Sequence, residues 1–567
     1  MNILNDFFRS LRLNPDIKSG QAVSAPQIQE PRSLFAGSKL HLPILIILCS
    51  VLFFWNIHVI PLTDGDSAFY AKIARNIADS GNWLTMHYGD ASTIIDKPPL
   101  VMWLTAVSFK LFGVNEFAVN FWHSLCALVI ILVTYKLAKE IFDSKTAFLS
   151  SLVLATSAQF FYQARSPLQD IPLTLFVLLS IYAYILFEKR SNIGYFYLSS
   201  VFVSLAVLTK GPVGLVLPAI ILLSYLVICK RKLPGIPHII SAGLLFLLIT
   251  LPWFIIEYKF LGQRFVDIFI GHNLGRYFSP IDTVGNEASK YSGIKPQYDL
   301  YSYFLQLLIV AVPWSGFVYP AIYYNIKKKV YPLPVIFALA VLIFFSLSLN
   351  YKISRYILPA FPALSIVIGK LISDAYDDTD AAGSYKWSSW FTLMIILPVL
   401  LLATLLLYGN YSKIGPYYLP LFIPFLIFMC LSLFAGSILG ILKRIERSVI
   451  LYSGMSILSY LVLVNCLAVY YPKINPISAF CRRINADALP SDIVCQYKGT
   501  DAHFMIYYAK NSVLFTRKDS DIKRLVLSKK KVYCVSEDKE AFESLRSSMK
   551  GRVKVMDECA NYTLCSN

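Results

Sequence analysis

Charged side chains beside long apolar runs are costly near hydrocarbon, so those that this chain keeps there are the first candidates for chemistry. They come in short groups: Asp64-Gly65-Asp66 with Tyr70 four residues on, Asp96-Lys97-Pro98-Pro99, Glu116, Arg165 with Asp170, Lys210, His272 with Arg276, and Lys352 with Arg355 and Tyr356. A carboxylate in a water-poor cleft can take a proton from a hydroxyl or an amine, and Asp66 is a candidate for that task, with Asp170 a candidate to position what reacts. Both also suit the cap of a helix that follows them, Asp170 with a local ion pair to Arg165, and spacing alone leaves capping and catalysis open. Lys97, Lys210, Arg276, Lys352 and Arg355 could meet negative charge that grows as a bond breaks. Their plainer reading is anchorage to anionic lipid headgroups. Tyr356 could hydrogen-bond the same anion or belong to an interfacial aromatic belt. Asp96, Glu116 and His272 are of types that suit a divalent ion, although a lone His is more often the partner of a phosphate or carboxylate.

The elements that must hold these groups are membrane helices. Of 567 residues 56% are hydrophobic and 15% charged, with a mean hydropathy of +0.58, which is more apolar surface than a water-soluble fold buries. Long apolar runs bounded by charges or Gly/Pro place spans near 40–61, 117–138, 146–164, 171–188, 195–209, 212–229, 236–256, 302–323, 332–349, 356–373, 388–408, 416–442 and 449–470. That gives an all-α polytopic membrane protein of about 13 transmembrane helices. Lys136/Lys139/Lys145, Lys189/Arg190, Lys230/Arg231/Lys232, Lys327/Lys328/Lys329 and Lys443/Arg444/Arg447 fall in every second loop, and the 373–387 loop, rich in Asp, is the exception. Basic residues remain on the cytoplasmic side, so the segment 1–39 is expected there and 62–116, 257–301 and 472–567 outside. The net charge of +18 is then a topology signal rather than a nucleic-acid footprint. The first span is expected to act as an uncleaved anchor.

Two parts follow from the pattern: a membrane domain over 40–471 with juxtamembrane loops 62–116 and 257–301, and a soluble C-terminal α/β domain over 472–567. In the first loop Phe69, Ile73 and Ile77 share one helical side, which suits a helix lying on the membrane surface, and 99–113 could be a second. In the tail, β-type runs at 493–497, 513–516, 531–535 and 553–556 alternate with helical stretches 501–509, 519–528 and 538–550. Cys481, Cys495, Cys534, Cys559 and Cys565 lie in this part, so one or two disulfides are expected in an oxidising compartment. Trp83, Trp103, Trp253 and Trp314 could stack on a ligand, but for each the interfacial belt is the plainer reading. Neither a P-loop nor a Rossmann glycine motif is present, so any activated group must arrive ready-made.

In order along the chain, Asp66-x-x-x-Tyr70-Ala71, Ser80-Gly81-Asn82-Trp83, Asp96-Lys97-Pro98-Pro99, Arg165 with Asp170-Ile-Pro172-Leu173, Leu208-Thr-Lys210-Gly211, Pro252-Trp253, His272-x-x-x-Arg276-Tyr277, Pro313-Trp314-Ser315 and Lys352-x-x-x-Tyr356-Ile-Leu-Pro359 resemble the aminoarabinose transferase and protein mannosyltransferase branch of the GT-C glycosyltransferases. The resemblance implies a GT-C fold and an inverting transfer of a sugar from a polyprenyl-phosphate carrier to a lipid, glycan or protein acceptor at the periplasmic face of a bacterial inner membrane, with no cofactor required. It puts Asp66, not Asp64, on the reacting carboxylate, with Asp170 a second catalytic candidate that could position the acceptor or the sugar. Lys97, Arg276, Lys210, Lys352, Arg355 and Tyr356 fall to the donor phosphate, and Tyr70, Asp96, Glu116 and His272 to substrate positioning. This chain departs from the family at Ser67 and Phe69, and at Asn120, near which the family carries an Arg. The rival from another class is a polytopic transporter or lipid-linked sugar flippase, which would gather its charges near the bilayer midplane in broken helices.

Overall fold

The structure is a computed structural model that describes residues 38–88, 97–271, 273, 299–348, 352–409, 418–499, 502–528, 530–549, 552–559 and 562–567. Among these, seven helices are long and apolar enough to cross a membrane: Glu116–Ile141, Asp170–Arg190, Ile236–Leu261, Ser354–Asp374, Thr379–Leu402, Pro420–Ile441 and Ile445–Ile474. Six shorter apolar helices accompany them: Lys39–Phe54, Leu100–Phe112, Ser144–Ala155, Gly194–Lys210, Val213–Ile228 and Leu333–Ser346. Small residues let these helices approach closely, as in membrane bundles generally. A Cβ placed on Gly369 would stand 2.6 Å from the backbone nitrogen of Ser150, and one on Gly436 2.9 Å from the Tyr452 ring.

Several expected spans are interrupted where the residues dictate it. The run 302–323 divides into helices Ser302–Val310 and Val318–Lys327 around Pro313 and Trp314. Trp314 is buried and its indole Nε1 donates to Thr156 Oγ1 at 2.9 Å. Trp253 is buried too, so neither of these tryptophans belongs to an interfacial belt. The run 146–164 breaks after Ala155, where Thr156 and Ser157 turn their hydroxyls onto backbone carbonyls of the preceding turn, and resumes as Ala158–Ala164. The stretch 373–387 is mostly helical, because Asp378 caps a helix that starts at Thr379.

The first loop holds the helices Gly65–Ser80 and Leu100–Phe112. Asp64 starts the former by accepting from the Asp66 N–H, and Gly81 ends it with φ +70°. Its apolar face does not lie on the membrane as the sequence suggested. Ile73 and Ile77 are buried in a cluster with residues of Leu100–Phe112 and of the C-terminal part, because the tail helix Ala502–Tyr508 packs directly against it. The Arg75 guanidinium donates to the Tyr507 carbonyl at 2.9 Å, and the Leu62 N–H to Tyr508 Oη at 3.0 Å.

The tail carries a five-stranded sheet, β1 Ile493–Tyr497, β2 Val513–Thr516, β3 Val532–Ser536, β4 Lys554–Cys559 and β5 Tyr562–Ser566, in the order β2-β1-β3-β5-β4. The first three strands are parallel, and β5 runs antiparallel to both β3 and β4. The sequence reading missed β5 and the helix Ile477–Asp487. The expected disulfides are absent, since all ten cysteines are free. Cys495, Cys534 and Cys565 stand side by side in register on β1, β3 and β5 and are buried among apolar side chains, where they act as small core residues.

Candidate active site

Four chain segments meet at the site: the turn before Gly65–Ser80, the start of Asp170–Arg190, the end of Gly194–Lys210 and the 3₁₀ turn Ser354–Ala360. Each delivers a charge at a helix terminus, where the backbone changes direction and the side chain clears the bundle. Arg355 ties three carboxylates together. Its Nη2 is 2.8 Å from Asp66 Oδ2, its Nη1 3.4 Å from Asp64 Oδ2, and its Nε 3.7 Å from Asp170 Oδ2. A guanidinium can do this because its donors fan out in one plane. Lys210 Nζ meets the other oxygen of Asp170 at 2.5 Å and stands 4.6 Å from the centre of the Tyr356 ring. The result is a linked set of three acids and two bases with one aromatic face.

The three acids differ in access. The Asp66 side chain is 55% exposed, Asp64 28% and Asp170 3%. Burial, and next the neighbouring Asp66 carboxylate, push the Asp64 carboxyl above its ordinary range, while Arg355 pulls it back. Asp64 is also the N-cap, spending an oxygen on the Asp66 N–H at 2.8 Å. The cap considered for Asp66 therefore belongs to Asp64, and Asp66 in the first turn keeps its carboxylate for Arg355 and for solvent. Asp170 does not cap its helix either: it is the first residue inside, behind Gln169. Nor is Arg165 its partner. The Arg165 guanidinium donates to the carbonyls of Leu52 and Phe53, both at 3.0 Å, and of Trp55 at 2.7 Å, closing the end of the Ser38–Phe54 helix, and burial lowers its pKa to about 10.

The other candidates scatter. Lys352 is buried with its ammonium on the carbonyls of Ser346 at 2.8 Å, Phe345 at 3.1 Å and Ser348. These are the free carbonyls at the end of Leu333–Ser346. Burial holds its pKa below the usual lysine range. This geometry caps a helix. Lys352→Met should therefore lower thermal stability by about 1 to 3 kcal/mol, the cost of stranding buried carbonyls, and leave donor affinity unchanged. A loss of donor affinity at unchanged melting temperature would return Lys352 to the phosphate. Glu116 opens the helix Glu116–Ile141 with Asn115 as cap and lies beside Tyr508, raising that phenol further after burial has done most of the work. It stands beside the tail helix Ala502–Tyr508. Tyr70 is half-buried with its ring edge-on to Phe69, 5.3 Å between centres. Lys97 is buried. Asp96, His272 and Arg276 lie outside the described residues. Among the described residues no group of three His, Cys, Asp or Glu side chains is arranged to hold a metal.

Sequence reasoning named Arg355 only as one of several phosphate contacts and weighed Asp64 mainly to set it aside. It had no signal for a three-way junction, two of whose partners lie 289 and 291 residues from Arg355.

Residues 96–256 match the family model described as dolichyl-phosphate-mannose-protein mannosyltransferase. A protein of Aquifex aeolicus is 31% identical over 388 residues, 68% of this chain and 72% of that one. The undecaprenyl phosphate-alpha-4-amino-4-deoxy-L-arabinose arabinosyl transferase 1 of Proteus mirabilis is 30% identical over 56% of each chain. This chain thus spans little more than half the length of that relative. Among solved structures, ArnT from Cupriavidus metallidurans bound to undecaprenyl phosphate superposes with a TM-score of 0.74 at 20% identity, covering 93% of this chain and 97% of that one. With this fold, these relatives and this arrangement of acids and bases, the chain belongs to the aminoarabinose transferase and protein mannosyltransferase-like branch of the GT-C glycosyltransferases.

Proposed function

We propose that this protein is an inverting glycosyltransferase that moves a hexosyl or pentosyl group from a polyprenyl-phosphate carrier to a cell-envelope acceptor. One observation carries the reading: of three carboxylates joined through Arg355, Asp66 alone is largely open, so it is the one a substrate hydroxyl or amine can reach. It takes the acceptor proton as the anomeric carbon opens. Asp170 and Arg355 position it. The leaving group is a lipid monophosphate whose charge grows as the bond breaks; Lys97, Arg276, Lys210 and Tyr356 are the groups proposed to meet it. The reaction needs a proton acceptor and a cationic site, and it is written without a cofactor or a metal step. Tyr70 is proposed to position substrate, along with Asp96 and His272.

The topology proposed with this function has thirteen crossings, the described apolar helices with the broken 302–323 segment among them and Leu100–Phe112 outside the count. It divides the chain into a membrane domain over 40–471 and an α/β domain over 472–567. The positive-inside pattern supports an inner-membrane location with the carboxylate set and the sheet domain in the periplasm. The transporter reading is less favoured, because Asp64, Asp66, Asp170, Lys210 and Arg355 gather at helix termini rather than along the middle of broken helices.

The test is to incubate purified protein in detergent with a defined polyprenyl-monophosphate sugar and envelope lipid extract, and to follow free polyprenyl phosphate. Release together with a glycosylated product is expected, whereas a transporter would release none.

A further inference from the structure

A groove of about 670 Å³ runs along the helix Thr379–Leu402, closed on one side by Pro320 of Val318–Lys327. The chemistry above makes no use of it. Its lining residues Gly383, Lys386, Trp387, Trp390, Met394 and Ile395 fall at i, i+3, i+4, i+7, i+11 and i+12, the spacing of one helical face. Trp387 is 74% exposed and Met394 60%, so this face looks out of the bundle. A Cβ on Gly383 would meet nothing within 4 Å, and the bare backbone there deepens the groove one turn before Lys386.

Charge decides what the groove accepts. Its helix starts at the end that the proposed topology places in the cytoplasm, and there cations and acids pair off. Lys328 Nζ lies 2.9 Å from Asp378 Oδ2 and 3.0 Å from Asp380 Oδ2, and Lys370 Nζ 2.6 Å from Asp374 Oδ1. Lys386 sits eight residues beyond the cap Asp378, about 12 Å along the helix, and has no ion-pair partner among the described residues. An ammonium held among Trp387, Trp390 and Met394 calls for an anion. One lysine balances one negative charge, which is that of a phosphodiester, whereas a phosphate monoester carries nearly two. Indoles favour the headgroup level of a bilayer, where their N–H can donate to a lipid oxygen.

We infer that this groove binds an anionic phospholipid of the surrounding membrane, with its phosphodiester on Lys386 beside Gly383 and one acyl chain along Trp390, Met394 and Ile395. Simple snorkelling would take the Lys386 ammonium to water with no preference among headgroups. A cation fixed next to a recess in the backbone prefers a headgroup of net negative charge. The inference is independent of the glycosyl-transfer reading and needs only that Thr379–Leu402 cross the membrane.

The experiment is photo-crosslinking of the full-length protein in detergent micelles with phosphatidylglycerol that carries a diazirine in one acyl chain, and the labelled peptides are mapped by mass spectrometry. Labelling of 383–395 is expected. Unlabelled phosphatidylglycerol should compete at about a fivefold lower concentration than phosphatidylethanolamine with the same chains, the weight of one lysine near the membrane surface. Lys386→Gln should make the two competitors equal, and Lys386→Arg should keep the preference. Gly383→Phe, which fills the recess where a side chain meets nothing, should remove the labelling at unchanged melting temperature. Equal competition in the parent protein, a preference that survives in Lys386→Gln, or labelling confined to other segments would each overturn the inference. So would displacement of the probe by undecaprenyl phosphate at lower concentration than by phosphatidylglycerol, which would make this a site for the carrier lipid.

Discussion

Transfer by Asp66→Asn should fall by ~100-fold or more while the protein still folds. The amide keeps the size of the carboxylate and an oxygen to accept from Arg355 Nη2, 2.8 Å away in the parent, but it cannot take a proton. Asp64→Asn is the internal control. Its amide oxygen can still accept from the Asp66 N–H and cap the Gly65–Ser80 helix, so its activity should be much closer to the parent's. The two variants sit two residues apart in the same charge network, so a general loss of electrostatic balance would affect both, and only a loss of the base singles out Asp66. The measurement is transfer from a defined polyprenyl-phosphate sugar, with the anomeric configuration of the product read by NMR. Single displacement inverts that centre. Full activity in Asp66→Asn, or net retention, would mean the mechanism is wrong.

Arg355→Ala should damage both stability and turnover. In the parent one guanidinium offsets Asp64, Asp66 and Asp170, and Asp170 is almost completely buried. Removing it leaves the set with Lys210, which meets Asp170. Breaking a buried ion network by deleting one partner costs about 3 to 5 kcal/mol, because the stranded charges remain. Mutual repulsion would also displace the Asp66 carboxylate, and a misplacement near 1 Å is enough to cost on the order of 100-fold in rate. Arg355→Lys should restore little, since a single ammonium cannot reach three carboxylates at once. Adding Asp170→Asn to Arg355→Ala should recover part of the stability, because it removes the most buried of the stranded charges. Melting temperature in detergent and single-turnover transfer check the pair. Parent-like values for both in Arg355→Ala would show that the junction has no part in holding the site.

The sequence alone determined the helices and the candidate chemistry, because both are local properties. An apolar run of membrane length tends to make a helix wherever it lies, and the described part of each expected span is mostly helical, with the first ending early at Phe54 and breaks at Pro313 and at Thr156-Ser157. The motifs around Asp66, Asp170, Lys210 and Tyr356 were legible for the same reason, as charged and aromatic residues at the ends of those runs. Tertiary structure decided which charges meet. Lys352 and Arg355 are three residues apart and of the same sign, yet one is bound to backbone carbonyls of its own hairpin and the other to acids from two distant segments. Arg165, next in sequence to the Asp170 segment, went instead to the end of the first helix. The apolar face of Gly65–Ser80 carries no mark that says membrane or protein, and only the docking of Ala502–Tyr508 chose. An ion pair or a packed face depends on where two chain segments come to lie, and with partners 289 residues apart no local spacing encodes that.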